Sequence, residues 1–378
     1  MAARAWAGRL STLNWPAAST LGDEATSASS SSPIASLPDE LLARVFETSW
    51  TAADDESALE SWLTLRAVLA VSRRWHTLAQ PVYETILPTE RWAWAWYQAA
   101  VERGDLVERG GRVRVLLLIG VPVLGSAARK KLVGACPNVV HLAWGSDETY
   151  PDVPFDSHNS ADALSRLDLH YADWPMLFAI PYASLRVLEM RDFRAEDENG
   201  HVVAPSSCPF TFGPQLRSLS VGTPYARLAP WLSGMLQALP ELRHLTLADC
   251  QVDELAEALD VPPLPRSKVV ALTLRAVILQ VGSAAEGNVI LLALHRAAAF
   301  LPALLTLGIG VSPSYGSRTE DDLSTGVVAG ALDLVLEART WPVLAAVSFE
   351  WLAKASAAEY ETLRQTCEER GIVCTRPT

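Results

Sequence analysis

Cysteine is sparse in this sequence: the five residues, at 136, 208, 250, 367 and 374, form no CxxC pair and are odd in number. That excludes a disulfide framework and a Cys-rich zinc site, and it predicts buried thiols in a reducing compartment. Basic residues are short as well, 31 Lys plus Arg against 43 acids for a net charge of −12, so broad nucleic-acid binding is not expected. Long apolar runs are missing; even VVALTLRAVILQVG is broken by Arg275 and Gln280, and no membrane span is predicted. The catalytic signatures are absent too. VLLLIGVPVLGSAARK at 115–130 offers Gly120 and Gly125 without GxGxxG or GxxxxGK[ST], and His141, His158, His170, His201 and His244 are scattered without HExxH or DxDxDG. Neither SAARK at 126–130 nor GTPYA at 222–226 supplies a nucleophile elbow. An enzyme, a metal and a cofactor are therefore not expected.

What is present is core material: 49% of the 378 residues are hydrophobic, which excludes disorder as the dominant state. Residues 1–32 stand apart, with Arg4 and Arg9, no acid before Asp23, Pro16 and the Ser-rich SASSSSP. They read as a disordered leader that has no apolar region for secretion.

Residues 33–86 read as a helical head. In PIASLPDELLARVF, Pro38 suits a first helical turn, Asp39 and Glu40 suit the positive end of the helix dipole, and Leu41, Leu42, Val45 and Phe46 come next at helical spacing. An acidic gap precedes a second helix in which Leu63, Ala67, Ala70 and Val71 mark one side, with Trp62, Leu65, Val68 and Leu69 widening it. Ser72 then leads into RRWHTLAQPVY, a third helix that Pro81 is expected to end or bend. Three short helices bury little by themselves, so exposed apolar surface is expected here. The stretch RWAWAWY at 91–97 bridges head and body within a Trp-rich junction, residues 87–110; a helix would bring Trp92 and Trp96 together as junction packing.

The order LPDELLARVF, then LRAVLAVSRRW, then HTLAQPVYETI resembles the F-box, the module that docks to the small adaptor subunit of cullin–RING ubiquitin ligases. Leu37 and Pro38 stand at its opening Leu-Pro, Leu41, Leu42, Val45 and Phe46 on its first helix, and Val71, Ser72, Arg74 and Trp75 in its second half. The gap between the first two helices, with Trp50, Asp54, Asp55 and Glu56, is longer than in many members and is similar to a variant common in fungal proteins of this kind. The resemblance implies adaptor binding through Leu37, Pro38, Leu41, Leu42, Val45, Val71 and Trp75. The alternative is a helical cap that covers the first unit of a repeat body.

From residue 111 to 378 the pattern apolar-x-x-apolar-x-apolar recurs, as VRVLLL (113–118), VVHLAW (139–144), LSRLDL (164–169), LRVLEM (185–190), LRSLSV (216–221), LRHLTL (242–247), VVALTL (269–274), ALLTLG (303–308) and LAAVSF (344–349). The anchors Leu142, Leu167, Leu188, Leu219, Leu245 and Leu272 are 25, 21, 31, 26 and 27 residues apart, enough for one strand and one return segment each. Each recurrence ends in period-two alternation, the mark of a strand with one buried face. ASAAEYETLRQTCEERG reads as a helix ended by Gly371, and GIVC as a last short strand. CPNVVHLAW and LPELRHLTL are similar to an irregular leucine-rich repeat domain of the sort found behind F-boxes. The asparagine ladder of that family is mostly missing, since positions 192 and 249 are Asp and 222 is Gly.

The expected fold class is α/β: a small N-terminal helical head followed by a leucine-rich-repeat solenoid with parallel strands. A doubly wound α/β enzyme is the remote alternative. The variable strand residues Arg166, Asp168, Arg186, Glu189, Arg217, Ser218, Arg243, His244 and Thr246 form a mixed polar surface for a protein client. Arg186, Arg217, Arg243 and His244 are the strand candidates. Tyr150 and Phe155, in the loop DETYPDVPFDSHNS, are the aromatic anchors, with Phe210, Phe212 and Tyr315 in later insertions. The expected function is a substrate-recognition subunit whose head recruits the ligase core and whose repeats hold an unidentified protein client, without nucleic acid, membrane or cofactor. A ligase-independent interaction scaffold is the main rival. Cytoplasmic or nuclear residence is expected, with no dense basic cluster to choose between them.

Overall fold

The computed structural model describes residues 37–48, 55–119, 123–145, 163–171, 183–192, 215–222, 238–248, 268–279, 301, 303–313, 341, 343–349 and 357–375. It is a mixed α/β fold with a helical N-terminal region and a large parallel sheet, and the chain divides into two units, residues 1–45 and 46–378.

Helix α1 spans Asp39–Thr48, with Asp39 and Glu40 in its first turn. Pro38 stands just before it, where its missing N–H costs nothing and its carbonyl accepts from Leu42 N at 3.0 Å. Helix α2 covers Asp55–Leu69 and α3 covers Arg73–Tyr83. Ser72 caps α3, its side chain accepting from Trp75 N at 3.2 Å. Pro81 lies inside α3, and the helix runs on to Tyr83. The expected break at Pro81 thus arrives two residues late, because a proline near a C-terminus removes one hydrogen bond without removing the turn after it.

Strand β1 (Ile86–Leu87), helix α4 (Glu90–Arg103) and the short α5 (Leu106–Gly110) come next. Gly104 ends α4 at φ 71°, a left-handed conformation that glycine adopts without strain. Gly110 answers a different demand: a Cβ there would lie 1.8 Å from the Ala135 carbonyl oxygen.

The sheet continues with β2 (Val115–Leu118), helix α6 (Ser126–Ala135), then β3 (His141–Gly145), β4 (Arg166–His170), β5 (Val187–Arg191), β6 (Ser218–Gly222), β7 (His244–Ala248), β8 (Ala271–Leu279), β9 (Thr306–Pro313) and β10 (Ala346–Phe349). Helix α7 (Ala357–Glu369) and β11 (Val373–Thr375) come last. The eleven strands among the described residues lie in chain order, β1 to β11. Every pairing is parallel.

The register explains the leucine spacing. Leu116, Leu142, Leu167, Leu188, Leu219, Leu245, Leu272, Leu307 and Val347 are cross-strand partners in series, and all are buried. A second buried row runs through Leu118, Trp144, Leu169, Met190, Val221, Leu247 and Leu274. Since side chains alternate at period two, the intervening residues face the other side. That other side is covered at β2 and β3, where every strand residue is buried, and opens from β5 onward, where buried and half-buried positions alternate.

Gly371, at φ 72°, ends α7 as the sequence predicts, with Ile372 N donating back to Cys367 O at 2.9 Å. Burial pushes the Cys136 thiol up to about 12 and, together with the neighbouring Cys374, the Cys367 thiol to about 12. At pH 8 roughly one such thiol in ten thousand is a thiolate. Peptide-resolved iodoacetamide labelling of the folded protein at that pH is expected to leave Cys136 and Cys367 unmodified and to label both in urea; labelling of either in the folded state would contradict the packing.

Candidate functional site

In the first unit, the apolar residues of α1 divide by exposure. Leu42 is fully buried, whereas Leu41 is 49% and Val45 48% exposed. Pro38 is exposed and Leu37 half-buried. Leu42 therefore belongs to the interior and not to a surface that a partner reaches: two residues one step apart on a helix point about 100° apart, and only one of them meets the core. Leu41 and Val45 are the large apolar side chains of α1 left in solvent.

In the second unit, Phe46 is buried and meets Trp75 edge-on, with ring centroids 5.6 Å apart and planes at 63°. Val71, just after the end of α2, is 60% exposed. Trp62 is buried, stacked on Tyr83 at 5.3 Å and tilted against Trp92 at 5.4 Å, while the Arg66 guanidinium lies over both indoles. Trp92 and Trp96 line one cavity of about 450 Å³ with Trp62, Tyr83 and Arg112. Helical spacing does bring that pair together; Trp94 stacks instead on Tyr97 at 5.7 Å.

A buried ion pair sits where α4 and α6 meet the sheet. Glu90 and Arg129 are 1% and 3% exposed and in contact. Glu90 Oε2 also accepts from Val123 N at 3.1 Å, and Arg129 donates to Leu124 O at 3.0 Å and Gly145 O at 2.9 Å. Its guanidinium lies 5.6 Å from the Trp144 ring centre. Burial pushes the Glu90 carboxyl above its ordinary value, against the pull of the Val123 and Leu124 N–H groups and of Arg129.

On the strand face opposite the leucine rows, polar residues stand in register. His141 pairs with Arg166 and Ala143 with Asp168; next along, Asp168 pairs with Glu189 and His170 with Arg191. Asp168 is 0% and His141 7% exposed. His141 Nε2 lies 2.6 Å from Asp168 Oδ2, and Arg166 Nε donates to both Asp168 oxygens at 3.0 Å. Arg166 reaches on to Glu189 Oε2 at 3.2 Å, and Arg191 Nε donates to Glu189 Oε1 at 2.8 Å. Asp168 is thus removed from the solvated client surface on which its sequence position places it: its neighbours are two cationic or hydrogen-bonding side chains, and its carboxylate is used inside the protein.

The strand candidates behave differently. Arg186, Arg217, Arg243 and His244 are all exposed. The three arginines occupy the same position, one residue before β5, β6 and β7. Arg217 N donates to Arg186 O, and Arg243 N to Arg217 O, each at 2.8 Å. The open face itself carries Val187, Glu189, Ser218, Ser220 and Thr246, all half-buried. Tyr150 and Phe155, with Phe210, Phe212 and Tyr315, lie outside the described residues.

Two features escape sequence reading. The His141–Asp168 contact joins residues 27 positions apart, and only the register of β3 on β4 discloses it. The Glu90–Arg129 pair depends on α6, whose residues carry no strong amphipathic pattern. Among the described residues, no cluster of three His, Cys, Asp or Glu stands ready for a metal ion, and no helix is long and apolar enough to cross a membrane. No protein-family model matches the chain, and no curated protein matches it either.

Proposed function

We propose that this protein is the substrate-recognition subunit of a cullin–RING ubiquitin ligase, with an F-box-like head at 33–86 and an irregular leucine-rich repeat domain at 111–378. The observation that carries the reading is the pair Leu41 and Val45, about half exposed on α1 within the motif LPDELLARVF. Large aliphatic side chains held in solvent on a helix are the material of a protein interface. Leu37, Pro38, Val71 and Trp75 complete the adaptor-binding set in this reading, and the parallel strands with their leucine rows support the repeat assignment. The polypeptide supplies proximity and orientation, and the other subunits perform ubiquitin transfer.

The test is a pull-down and titration with the small adaptor subunit. The wild-type chain is expected to bind it, and Leu41→Ala/Val45→Ala is expected to weaken binding by about thirtyfold, the loss of one interface hot spot near 2 kcal/mol. Urea unfolding of the same variant is expected to match wild type, because neither side chain is in the core. Failure of the wild-type chain to bind the adaptor would leave a ligase-independent scaffold as the better reading.

A further inference from the structure

The arginines before β5, β6 and β7 form a ladder. The carbonyl of each residue in this position accepts two backbone N–H groups from the next rung: Arg186 O from Arg217 N and Ser218 N, then Arg217 O from Arg243 N and His244 N. Consecutive rungs of a parallel sheet are about 4.8 Å apart, so the three Cα positions span about 10 Å. The neighbouring rungs are neutral, Ser165 on one side and Val270 on the other. Three adjacent positions therefore carry positive charge, and Arg114 holds the same position three rungs before Arg186.

Two arginines within the strands are neutralised. Arg166 and Arg191 both meet Glu189, and Arg166 meets Asp168 as well. Arg186, Arg217 and Arg243, by contrast, make no side-chain hydrogen bond or ion pair among the described residues. The nearby carboxylate of Glu241 feels Arg243 and Arg217, but its hydrogen bond and its ion pair at 2.5 Å go to Lys268. Three like charges in register repel one another, and in a chain of net charge −12 their local excess stands out against the field of the rest.

We infer that this ladder is a docking site for an acidic, extended peptide segment of a protein partner, its carboxylates or phosphates spaced to meet the three guanidiniums. Side chains on one face of an extended peptide recur about every 6.6 Å, so a run of acidic residues brings carboxylates within reach of long side chains spread over about 10 Å, and each guanidinium offers a planar fork that pairs with an oxyanion through two parallel hydrogen bonds. A nucleic acid fits less well: three arginines on an acidic protein do not make the extended basic face that a phosphate backbone needs. As a statement about the client, the inference rests on the ligase reading; as a statement about binding, it does not.

Fluorescence polarisation of a labelled peptide carrying a run of glutamates tests it, alongside the same peptide with phosphoserines, one with glutamines, and a single-stranded RNA. The glutamate or the phosphoserine peptide is expected to bind saturably, the glutamine peptide not to bind, and affinity to fall as salt rises from about 50 mM to about 300 mM. Which of the two binds more tightly identifies carboxylate or phosphate as the natural group. Arg186→Gln/Arg217→Gln/Arg243→Gln is expected to weaken binding at least about tenfold. Arg103→Gln/Lys131→Gln/Arg370→Gln, which removes equal charge from exposed positions elsewhere, is expected to leave it within about twofold. Absence of binding by both anionic peptides, equal loss in the two triple variants, or RNA binding as tightly as either peptide would overturn the inference. Adaptor pull-down of the ladder variant separates the two readings, since it is expected to be unchanged.

Discussion

Urea unfolding of the Asp168→Ala protein is expected to show a loss of about 3–5 kcal/mol, the range for breaking a buried charge cluster by removing one partner. Asp168 is fully buried, and both of its oxygens are engaged by Arg166 and one by His141. Alanine takes from the Arg166 guanidinium, whose side chain is 16% exposed, a carboxylate 3.0 Å from its Nε. It also removes the group at 2.6 Å from a His141 that is 7% exposed. Asp168→Asn keeps the volume and one acceptor, so its cost is expected to be smaller. Replacing Asp168, Arg166 and His141 together with apolar residues of similar volume is expected to cost less than Asp168→Ala alone, since no charge is then stranded. If Asp168→Ala unfolds within about 0.5 kcal/mol of wild type, the cluster is not the tie between β3, β4 and β5 that its geometry implies.

Arg129→Met is expected to cost about 3–5 kcal/mol for the same physical reason at the other buried pair, because Glu90 would remain 1% exposed with only backbone N–H groups to oppose its charge. Here pH provides an independent check. The Glu90 carboxyl is held above its ordinary value, burial being the largest cause. A raised carboxyl binds more protons in the folded state than in the unfolded one, so its contribution is complete below the ordinary range near about pH 4.3 and is lost as the pH rises through its folded value. Unfolding free energy is thus expected to carry a downward slope from this group above about pH 4.3, which Glu90→Gln removes and Arg129→Met steepens. A Glu90→Gln protein with the same slope as wild type would show that another group carries it.

The leucine rows are legible in the sequence because parallel strands in register place equivalent residues side by side: Leu188 meets Leu219 for the same reason that LRVLEM resembles LRSLSV. The end of α7 is legible too, since Gly371, with no side chain to clash, takes φ 72° without strain. Asp192, at φ 52°, takes the left-handed conformation that a short polar side chain accepts. Leu41 and Leu42 look alike in sequence, and only packing separates the exposed one from the buried one. Asp168 is legible as an outward-facing strand residue but not as a buried one. A period-two pattern tells which face a side chain takes, not whether that face is covered, and Asp168 meets His141, 27 positions away in the chain. The arginine ladder is legible residue by residue; that it makes no ion pair among the described residues is not, because Glu241 lies two positions from Arg243 and yet pairs with Lys268.

The strict sequential order of the strands has a consequence for how this molecule can change over time. A strand that touches only its predecessor and its successor communicates with the rest through two borders, and stability in such arrays is close to a sum of local terms. Connecting segments of very different length, such as those between Leu188 and Leu219 or between Leu167 and Leu188, 31 and 21 residues apart, alter neither border as long as the next strand returns to register. Variation in the connections is therefore decoupled from the core, and new surface can be acquired one rung at a time while β1 and β11 remain the two ends at which the array is open to fraying.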